Sequence, residues 1–116
     1  MGFEGSRNLY LLPDDAAWRQ LGIQGSVKNG GGLSRFTINL HVIGREEWAG
    51  LVAADASLPP RPNPTVHWNV GTAARIGLLA TGTDTWWEVR ADTKLTRLAD
   101  EVLAMVREVG VPFLLG

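Results

Sequence analysis

The strictest alternation of apolar and polar residues runs over residues 34–43, SRFTINLHVI. The apolar set is Phe36, Ile38, Leu40 and Val42, and the polar set is Arg35, Thr37, Asn39 and His41. A period of two is typical of a β-strand that turns one face to the core and the other to a polar environment. We therefore predict a strand here, with Asn39 and His41 on its polar side.

Two earlier segments, 8–12 and 18–27, also have strand character. In segment 18–27 one face carries Leu21, Ile23 and Val27, and the other carries Trp18, Gln20 and Gln24. A turn at 13–15 and a glycine-rich hairpin loop at 28–33 connect the three strands. Short connections between successive strands predict an antiparallel meander.

After residue 44 the apolar spacing becomes helical. Segment 45–56 gathers Trp48 and other apolar residues on one face and has acidic residues in its first turn, where the helix dipole favours them. Segment 57–64, SLPPRPNP, holds four prolines, so neither a helix nor a strand can form there. We predict a helix over 45–56 and a stiff, extended connector over 57–64.

Two more strands and a second helix are predicted in the rest of the chain. One strand lies within 66–80, where alternate residues near Arg75 are apolar, and the other covers 85–91. Asp92 is the predicted N-cap of a helix with an apolar stripe over 95–109. We expect that helix to end at Gly110, with Pro112 just beyond it.

These elements together predict the fold class. They form an α+β fold with a mainly antiparallel sheet of about five strands and two helices packed on one face. The proline-rich connector is too short to divide the chain, and no internal repeat is present. We therefore predict one domain over residues 1–116.

Composition narrows the function classes. Of the 116 residues, 45% are hydrophobic and 20% are charged, and the formal net charge of -1 disfavours nucleic-acid binding driven by bulk charge. The absence of cysteine excludes disulfides, thiolate nucleophiles and the usual structural zinc sites. No segment approaches the ~18 apolar residues of a membrane span, and the N-terminus is unlike a signal peptide. We predict a cytoplasmic protein without membrane contact.

The sequence contains no motif that carries catalysis or metal binding on its own. The segment Asn29-Gly30-Gly31-Gly32 lacks the lysine of a phosphate-binding loop, and no serine lies in a Gly-x-Ser-x-Gly elbow. His41 and His67 are too few for a metal site unless carboxylates such as Glu88 join them. We assign no catalytic, cofactor-binding or metal-ligating residue and favour a non-catalytic protein.

The adjacent tryptophans Trp86 and Trp87 point to a candidate binding surface. Because consecutive side chains on a strand alternate faces, Trp87 is predicted in the core and Trp86 on the opposite, polar side of the sheet. The predicted surface on that side consists of Trp86, Trp18, Asn39, His41, Arg75 and Glu88. Aromatic residues and arginine are enriched in interface hot spots. The alternative is that a terminus, a loop or the proline connector packs over Trp86.

Three classes of function remain. The first is a non-catalytic module that binds itself or another protein through the open sheet face. The second is a small-molecule or anion-binding domain, or a minor enzyme, centred on Arg75, Glu88 and His41, although Arg75 and Glu88 could equally form a cross-strand ion pair. The third, single-stranded nucleic-acid binding, requires a positive groove that the balanced charge does not favour.

Six short segments follow one another in an order that resembles a known family. They are GF at 2–3, RFTINL at 35–40, HW at 67–68, RIGLL at 75–79, TWWEV at 85–89 and VPFL at 111–114. This array resembles the bacterial family called domain of unknown function 4304. The resemblance supports the α+β prediction and implies no established activity, cofactor or catalytic residue.

The same resemblance implies a difference at both ends of the chain. Members of that family usually begin with an additional amphipathic helix before the GF segment, and they tend to continue past the VPFL segment. The resemblance therefore implies an apolar surface in this chain that is either bare or covered by a second subunit.

Overall fold

The computed structural model describes residues 2–6, 8–26 and 31–116. Within these residues a single antiparallel sheet has the strands β1 (Glu4–Ser6), β2 (Leu9–Leu12), β3 (Ala17–Gly25), β4 (Ser34–Gly44), β5 (Thr72–Arg75) and β6 (Trp87–Val89). The helices are α1 (Arg45–Ala54), α2 (Ile76–Thr81), α3 (Leu95–Met105) and α4 (Val111–Leu115), and a π-helical turn, Val106–Gly110, joins the last two. The predicted α+β class with a mainly antiparallel sheet is confirmed.

Strand β4 is the centre of the sheet. Its residues 36–44 pair with the whole of β3, so that Gln20 lies opposite His41 and Gly22 opposite Asn39. Its other edge pairs with β5 near one end and with β6 near the other. The meander β2-β3-β4 agrees with the prediction, and β1 extends it as a strand that the sequence pattern did not indicate. Residues 28–30 of the predicted hairpin loop lie outside the described residues.

One face of the sheet forms the main hydrophobic core with α2, the π-helical turn and α4. Its buried members are Leu12, Leu21, Ile38, Leu40, Ile76, Trp87, Val106 and Leu114. The apolar positions predicted for segment 34–43 supply the middle of this core, and Trp87 joins it through its ring, which stacks on Phe36 with 5.5 Å between centroids. Burial of this apolar face accounts for the position of the C-terminal helices.

The opposite face of the sheet is covered by the chain itself. The covering segment runs from the end of α1 to the start of β5, residues 55–71; it includes the proline-rich run 57–64 and is called the connector from here on. Its Pro62 and Pro64 are fully buried, and the Nε2 atom of His41 lies 2.7 Å from the carbonyl oxygen of Val70. Gly22 lies close beneath the connector: a Cβ atom at this position would stand 3.3 Å from Pro64, so a larger residue would require a shift of a few tenths of an ångström. The prediction of an open polar face is therefore wrong at the centre of the sheet.

Helix α1 belongs to this second layer. Trp48 is buried, donates its Nε1–H to the carbonyl of Pro59 at 3.1 Å, and packs 4.9 Å from the ring of His67. The connector is thus fixed to the sheet by a helix on one side and by His41 from below. Helical and connector residues cover both faces of the sheet, whereas the sequence predicted helices on one face only.

The segment from 72 to 81 differs from its prediction. The strand ends at Arg75 and helix α2 begins at Ile76, so the apolar residues that were assigned to one strand lie on two elements. Gly77 lets α2 approach its neighbour, since a Cβ atom there would stand 2.5 Å from Thr85. A run of Ala, Ile, Gly and Leu suits both structures, so the local pattern does not decide between them.

The C-terminal helix also differs at both ends. Lys94 occupies the N-cap position and no side chain caps the helix, so the prediction of Asp92 as the cap is wrong. The helix does not stop at Gly110, because the N–H of Val111 bonds to the carbonyl of Val106 across a π-helical turn and α4 continues the helix. Pro112 lies in the first turn of α4, where proline is tolerated.

Candidate functional site

Arg75, the last residue of β5, is held by three side chains of neighbouring segments. Its Nε–H donates to the Oδ1 of Asn39 at 3.2 Å, and its Nη2 donates to the Oε1 of Gln24 at 3.3 Å. Its Nη1 forms an ion pair with the Oδ2 of Asp84 at 2.8 Å. Because Asn39 lies opposite Arg75 in the strand register, the sheet itself positions the guanidinium group.

Trp86 lies on the same side of the sheet as Arg75. The guanidinium carbon of Arg75 stands 5.3 Å from the centre of the indole ring, within the range of a cation–π contact. The indole Nε1–H donates to the Oδ2 of Asp84 at 3.1 Å, so one carboxylate oxygen accepts from both Arg75 and Trp86. The predicted separation of Trp86 and Trp87 onto opposite faces is what the structure shows.

A groove lies next to this cluster, between β5 and the connector. It consists of two adjoining depressions, of about 370 and 460 Å³, which share Gln24 and Thr65. The residues that line the first depression include Gln24, Asn39, Pro64, Thr65, Trp68, Ala73, Ala74, Arg75 and Leu78. Asn8, Leu9, Ile23, Asn63 and Val66 line the second. We refer to these two depressions together as the groove.

The floor of the groove is polar and rich in hydrogen-bond donors. The Nδ2 of Asn39 donates to the Oε1 of Gln24 at 2.8 Å and to the Oγ1 of Thr65 at 3.1 Å. This leaves the Nε2 of Gln24, the hydroxyl proton of Thr65 and the remaining N–H groups of Arg75 without a hydrogen bond within the described chain. Arg75 is also the one charged residue among those that line the groove in the described structure.

The rim of the groove is apolar and exposed. The large indole side chain of Trp68 is 65% exposed. Val66 and Leu78, which also line the groove, are exposed as well. Val66 and Trp68 come from the segment between α1 and β5, and Leu78 comes from α2. An apolar rim with tryptophan around a donor-rich floor that contains arginine has the composition of an interface hot spot.

The structure brings together only part of the predicted binding surface. Trp86, Asn39 and Arg75 form the cluster just described. His41 is 0% exposed beneath the connector and lies outside any surface, so its assignment to an open face is wrong. Burial, as the main cause, lowers the pKa of His41, against the opposing effect of its hydrogen bond to Val70.

The other two members of the predicted surface lie elsewhere. Trp18 pairs with Ile43 at the far end of β4, where the guanidinium group of Arg45 stacks over its ring at 3.8 Å. Glu88 forms ion pairs with Arg35 at 3.1 Å and with Arg90 at 3.3 Å. Arg75 and Glu88 do not form the ion pair considered above, because β5 and β6 contact different stretches of β4.

Four residues of the site were missed in the sequence: Gln24, Thr65, Trp68 and Asp84. The sequence pattern places Gln24 on the same face as Trp18 and Gln20, but it does not fix the strand register that brings Gln24 to Asn39 and Arg75. Thr65 and Trp68 follow the proline-rich segment, and nothing in the local pattern shows that this segment folds back over the sheet. The HW segment that contains Trp68 was noted only as part of a resemblance.

The described side chains of the site offer hydrogen-bond donors and one positive charge. Arg75, Asn39 and Gln24 hold one another in place, and none of them is a nucleophile or a base with a substrate-facing partner. Among the described residues, no three His, Cys, Asp or Glu side chains come close enough to hold a metal ion. None of the helices in the described part of the chain has the length and apolar character that crossing a bilayer requires.

The fold and the site thus define an α+β protein whose described residues form a six-stranded antiparallel sheet with a groove beside strand β5. The profile of one family, the domain of unknown function DUF4304, matches residues 1–115, and the chain belongs to that family. No curated protein and no solved structure matches the chain. The resemblance stated from the short segments is therefore confirmed at the level of the family.

Proposed function

We propose that the protein is a non-catalytic module that binds a polypeptide in the groove. The observation that carries this proposal is the exposed Trp68 beside the ordered Arg75 cluster. The sequence predicts that the module binds through the open sheet face. Because the connector covers the centre of that face, we propose the groove at its edge as the binding surface instead. A location in the cytoplasm is compatible with a chain without cysteine and is part of the proposal.

Strand β5 supports a polypeptide as the ligand. Within the described chain it pairs with β4 on one side only, so alternate backbone N–H and C=O groups of this strand point away from the sheet. Ala73 and Ala74 line the groove with small side chains, which leaves room for an extended segment to approach the edge. Addition of a strand to a free sheet edge, with pockets for alternate side chains, is a common mode of peptide recognition.

The test is a peptide-display selection against the purified protein and two variants. Trp68→Ala removes the aromatic rim, whereas Leu95→Ala truncates a side chain of nearly equal exposure, 63% against 65%, that does not line the groove. We expect the wild type and Leu95→Ala to enrich a common set of peptides that Trp68→Ala does not retain. Equal enrichment by all three proteins, or none by the wild type, would contradict the proposal.

A second copy of the chain is one form that the partner could take. Light scattering over a range of concentrations distinguishes it, because self-association through the groove would be weakened by Trp68→Ala and not by Leu95→Ala. A wild type that stays monomeric while the display selection succeeds identifies the partner as another protein. A dimer that both variants retain would place the self-association elsewhere on the surface.

The volume of the first depression favours a second candidate function. At about 370 Å³ it falls within the size range of small-molecule sites, and Arg75 makes it suited to an anion. Thermal unfolding in the presence of small carboxylates and phosphates tests this function. A stabilisation that Arg75→Gln abolishes and Trp68→Ala preserves would favour the small ligand over the polypeptide.

A further inference from the structure

We infer that Arg75 and Trp86 form a carboxylate site that Asp84 fills in the free protein and that an acidic group of the bound polypeptide takes over. The inference rests on the proposed function, because it names the chemistry of the partner at the groove. Asp84 acts here as an internal substitute for the ligand. It lowers the affinity of the free protein for acidic segments until it is displaced.

The geometry of the donors supports a built carboxylate site. The Oδ2 of Asp84 accepts from Nη1 of Arg75 at 2.8 Å and from Nε1 of Trp86 at 3.1 Å. Guanidinium and indole N–H groups that converge on one oxygen form a charge-assisted pair of donors. The indole ring also stands 5.3 Å from the guanidinium carbon, so the aromatic face and the cation stabilise each other.

Arg75, the charged half of the site, has contacts that do not depend on Asp84. Asn39 and Gln24 accept hydrogen bonds from Nε and Nη2 of Arg75, so the guanidinium group keeps its position through contacts that do not involve the carboxylate. Asn39 is buried and belongs to the central strand. A donor group that the sheet holds in advance is what recognition of an incoming carboxylate requires, since little side-chain entropy is lost on binding.

Asp84 itself is easy to displace. It lies in the segment between α2 and β6, outside any helix or strand, and its side chain is 38% exposed. An ion pair at such exposure contributes little to stability, because water and salt screen it. The exchange of one carboxylate for another therefore has a small cost, and the groove contacts of the ligand can outweigh it.

The charge distribution points to an acidic partner. Arg75 belongs both to the lining of the groove and to the carboxylate site, so a segment bound in the groove can reach its guanidinium group. The other free polar groups of the groove floor, from Gln24 and Thr65, are also donors. Carboxylate and carbonyl oxygens match these donors, whereas a basic segment would meet Arg75 with like charge.

The experiment uses a synthetic peptide from the display selection, blocked at both ends, and its Glu→Gln or Asp→Asn analogue. Both are titrated by fluorescence anisotropy into the wild type, Asp84→Asn, Arg75→Gln and Asp92→Asn. Asp84→Asn removes the negative charge and keeps an oxygen that can accept from Trp86. Asp92→Asn is the matched control, because it makes the same change of charge on an exposed residue for which the described structure shows no contact with Arg75.

We expect Asp84→Asn to bind the acidic peptide about three- to tenfold more tightly than the wild type does, as loss of a competing surface ion pair allows. The neutral analogue should bind both proteins equally, and Asp92→Asn should behave as the wild type. Arg75→Gln should bind the acidic and neutral peptides with the same affinity. Thermal unfolding of each variant verifies that the fold is intact.

The possible failures are distinguishable. Peptides that bind in a manner dependent on Trp68 but show no preference for the acidic form overturn this inference and leave the proposed function standing. An unchanged or weaker affinity of Asp84→Asn for the acidic peptide also overturns it. A selection that yields no peptide dependent on Trp68 overturns the proposed function itself. A free carboxylate such as citrate that binds at the wild-type site when no peptide does assigns the site to a small ligand instead.

Discussion

Two neighbouring tryptophans have different roles because a strand turns successive side chains to opposite faces. Trp87 packs in the main core, where its ring stacks on Phe36, while Trp86 lies at the polar edge beside Arg75. The indole Nε1 of Trp87 has no hydrogen-bond partner within the described structure, so this residue contributes through its apolar surface. Trp86, in contrast, uses its N–H to hold Asp84.

We therefore expect unequal costs when the two rings are removed. Trp87→Ala should lower the free energy of unfolding by about 3–5 kcal/mol, the usual range for a large buried aromatic residue. Trp86→Ala should cost clearly less, since it removes a partly exposed ring. Trp87→Phe is the control: it keeps an aromatic ring next to Phe36 and removes the unpaired N–H. Urea unfolding checks all three, and equal losses for Trp86→Ala and Trp87→Ala would show that both rings are structural.

His41 introduces a dependence of stability on pH. Its burial lowers the pKa below the ordinary value of 6.5, so the folded state resists the proton that the unfolded chain accepts. Above the unfolded pKa the residue is neutral in both states and its contribution to stability is complete. As the pH falls below that value, the unfolded state binds more protons, and stability decreases until the folded pKa is reached.

Replacement of His41 should remove this part of the pH dependence. Wild-type stability should fall as the pH is lowered from about 7.5 to about 5.5, across the titration range of an ordinary histidine. His41→Gln keeps an N–H that can donate to Val70 and should show a smaller fall. His67→Gln removes the other histidine, whose charge also lowers the pKa of His41, and should show a fall between those of the wild type and His41→Gln. Urea unfolding at both pH values measures the difference; equal slopes for wild type and His41→Gln would contradict it.

At the scale of elements, local pattern predicted best where one face is buried and the other polar. Strand β4 is such a case, and the prediction for 34–43 lies within the observed Ser34–Gly44. Residues 73–80 contain Arg75 as their single polar side chain, so their small and apolar residues fit a strand and a helix alike. The π-helical turn was hidden for a related reason, because Gly110 and Pro112 are typical both of a helix end and of a distorted continuation.

The glycine at the start of α2 gives this argument a test. A Cβ atom at Gly77 would lie 2.5 Å from backbone and side-chain atoms of Thr85, so Gly77→Ala requires the 83–86 segment to shift. We expect a loss of about 1–3 kcal/mol in the free energy of unfolding, as overpacking usually causes. Gly50→Ala is the matched control, because the described structure leaves open space around Gly50 in helix α1.

In that control we expect a gain of about 0.5–1 kcal/mol, the difference between glycine and alanine inside a helix. Chemical denaturation of both variants provides the comparison. A stabilised Gly77→Ala protein would show that α2 does not press against Thr85. The sequence alone could not reveal this contact, since Gly77 and Thr85 belong to segments whose packing depends on the whole sheet.

At the scale of the whole molecule, the chain forms two layers on opposite faces of one sheet. For the layer of α2, α3 and α4, the sequence predicts only the C-terminal part, from the apolar stripe after residue 94. The connector layer was not, because proline-rich segments have no periodicity and satisfy their backbone in many positions. The site depends on the connector layer. The sequence predicts Arg75 and Asn39 on one surface, but the groove itself exists only because the connector folds back over the sheet.

This second layer depends on Trp48 more than on any other side chain of α1. Trp48 is the one buried residue of that helix, and it joins α1 to Pro59 and His67 of the connector. It is absent from the buried cluster that forms the main core. Trp48→Ala should therefore loosen the connector while the sheet and the C-terminal helices remain folded.

Amide hydrogen exchange followed by NMR tests this separation of the layers. The N–H of His67 bonds to Asn63 and that of Val70 to His67, so both report on the connector, while amides that bond between β3 and β4 report on the sheet. In Trp48→Ala we expect exchange at His67 and Val70 to accelerate by a larger factor than exchange in the sheet, because local opening no longer requires global unfolding. Phe113→Ala, which truncates a partly buried residue of the main core, is the control and should accelerate the slowest sheet amides instead. Equal acceleration of connector and sheet in Trp48→Ala would mean that the two layers unfold as one cooperative unit, and the groove would then be as rigid as the core.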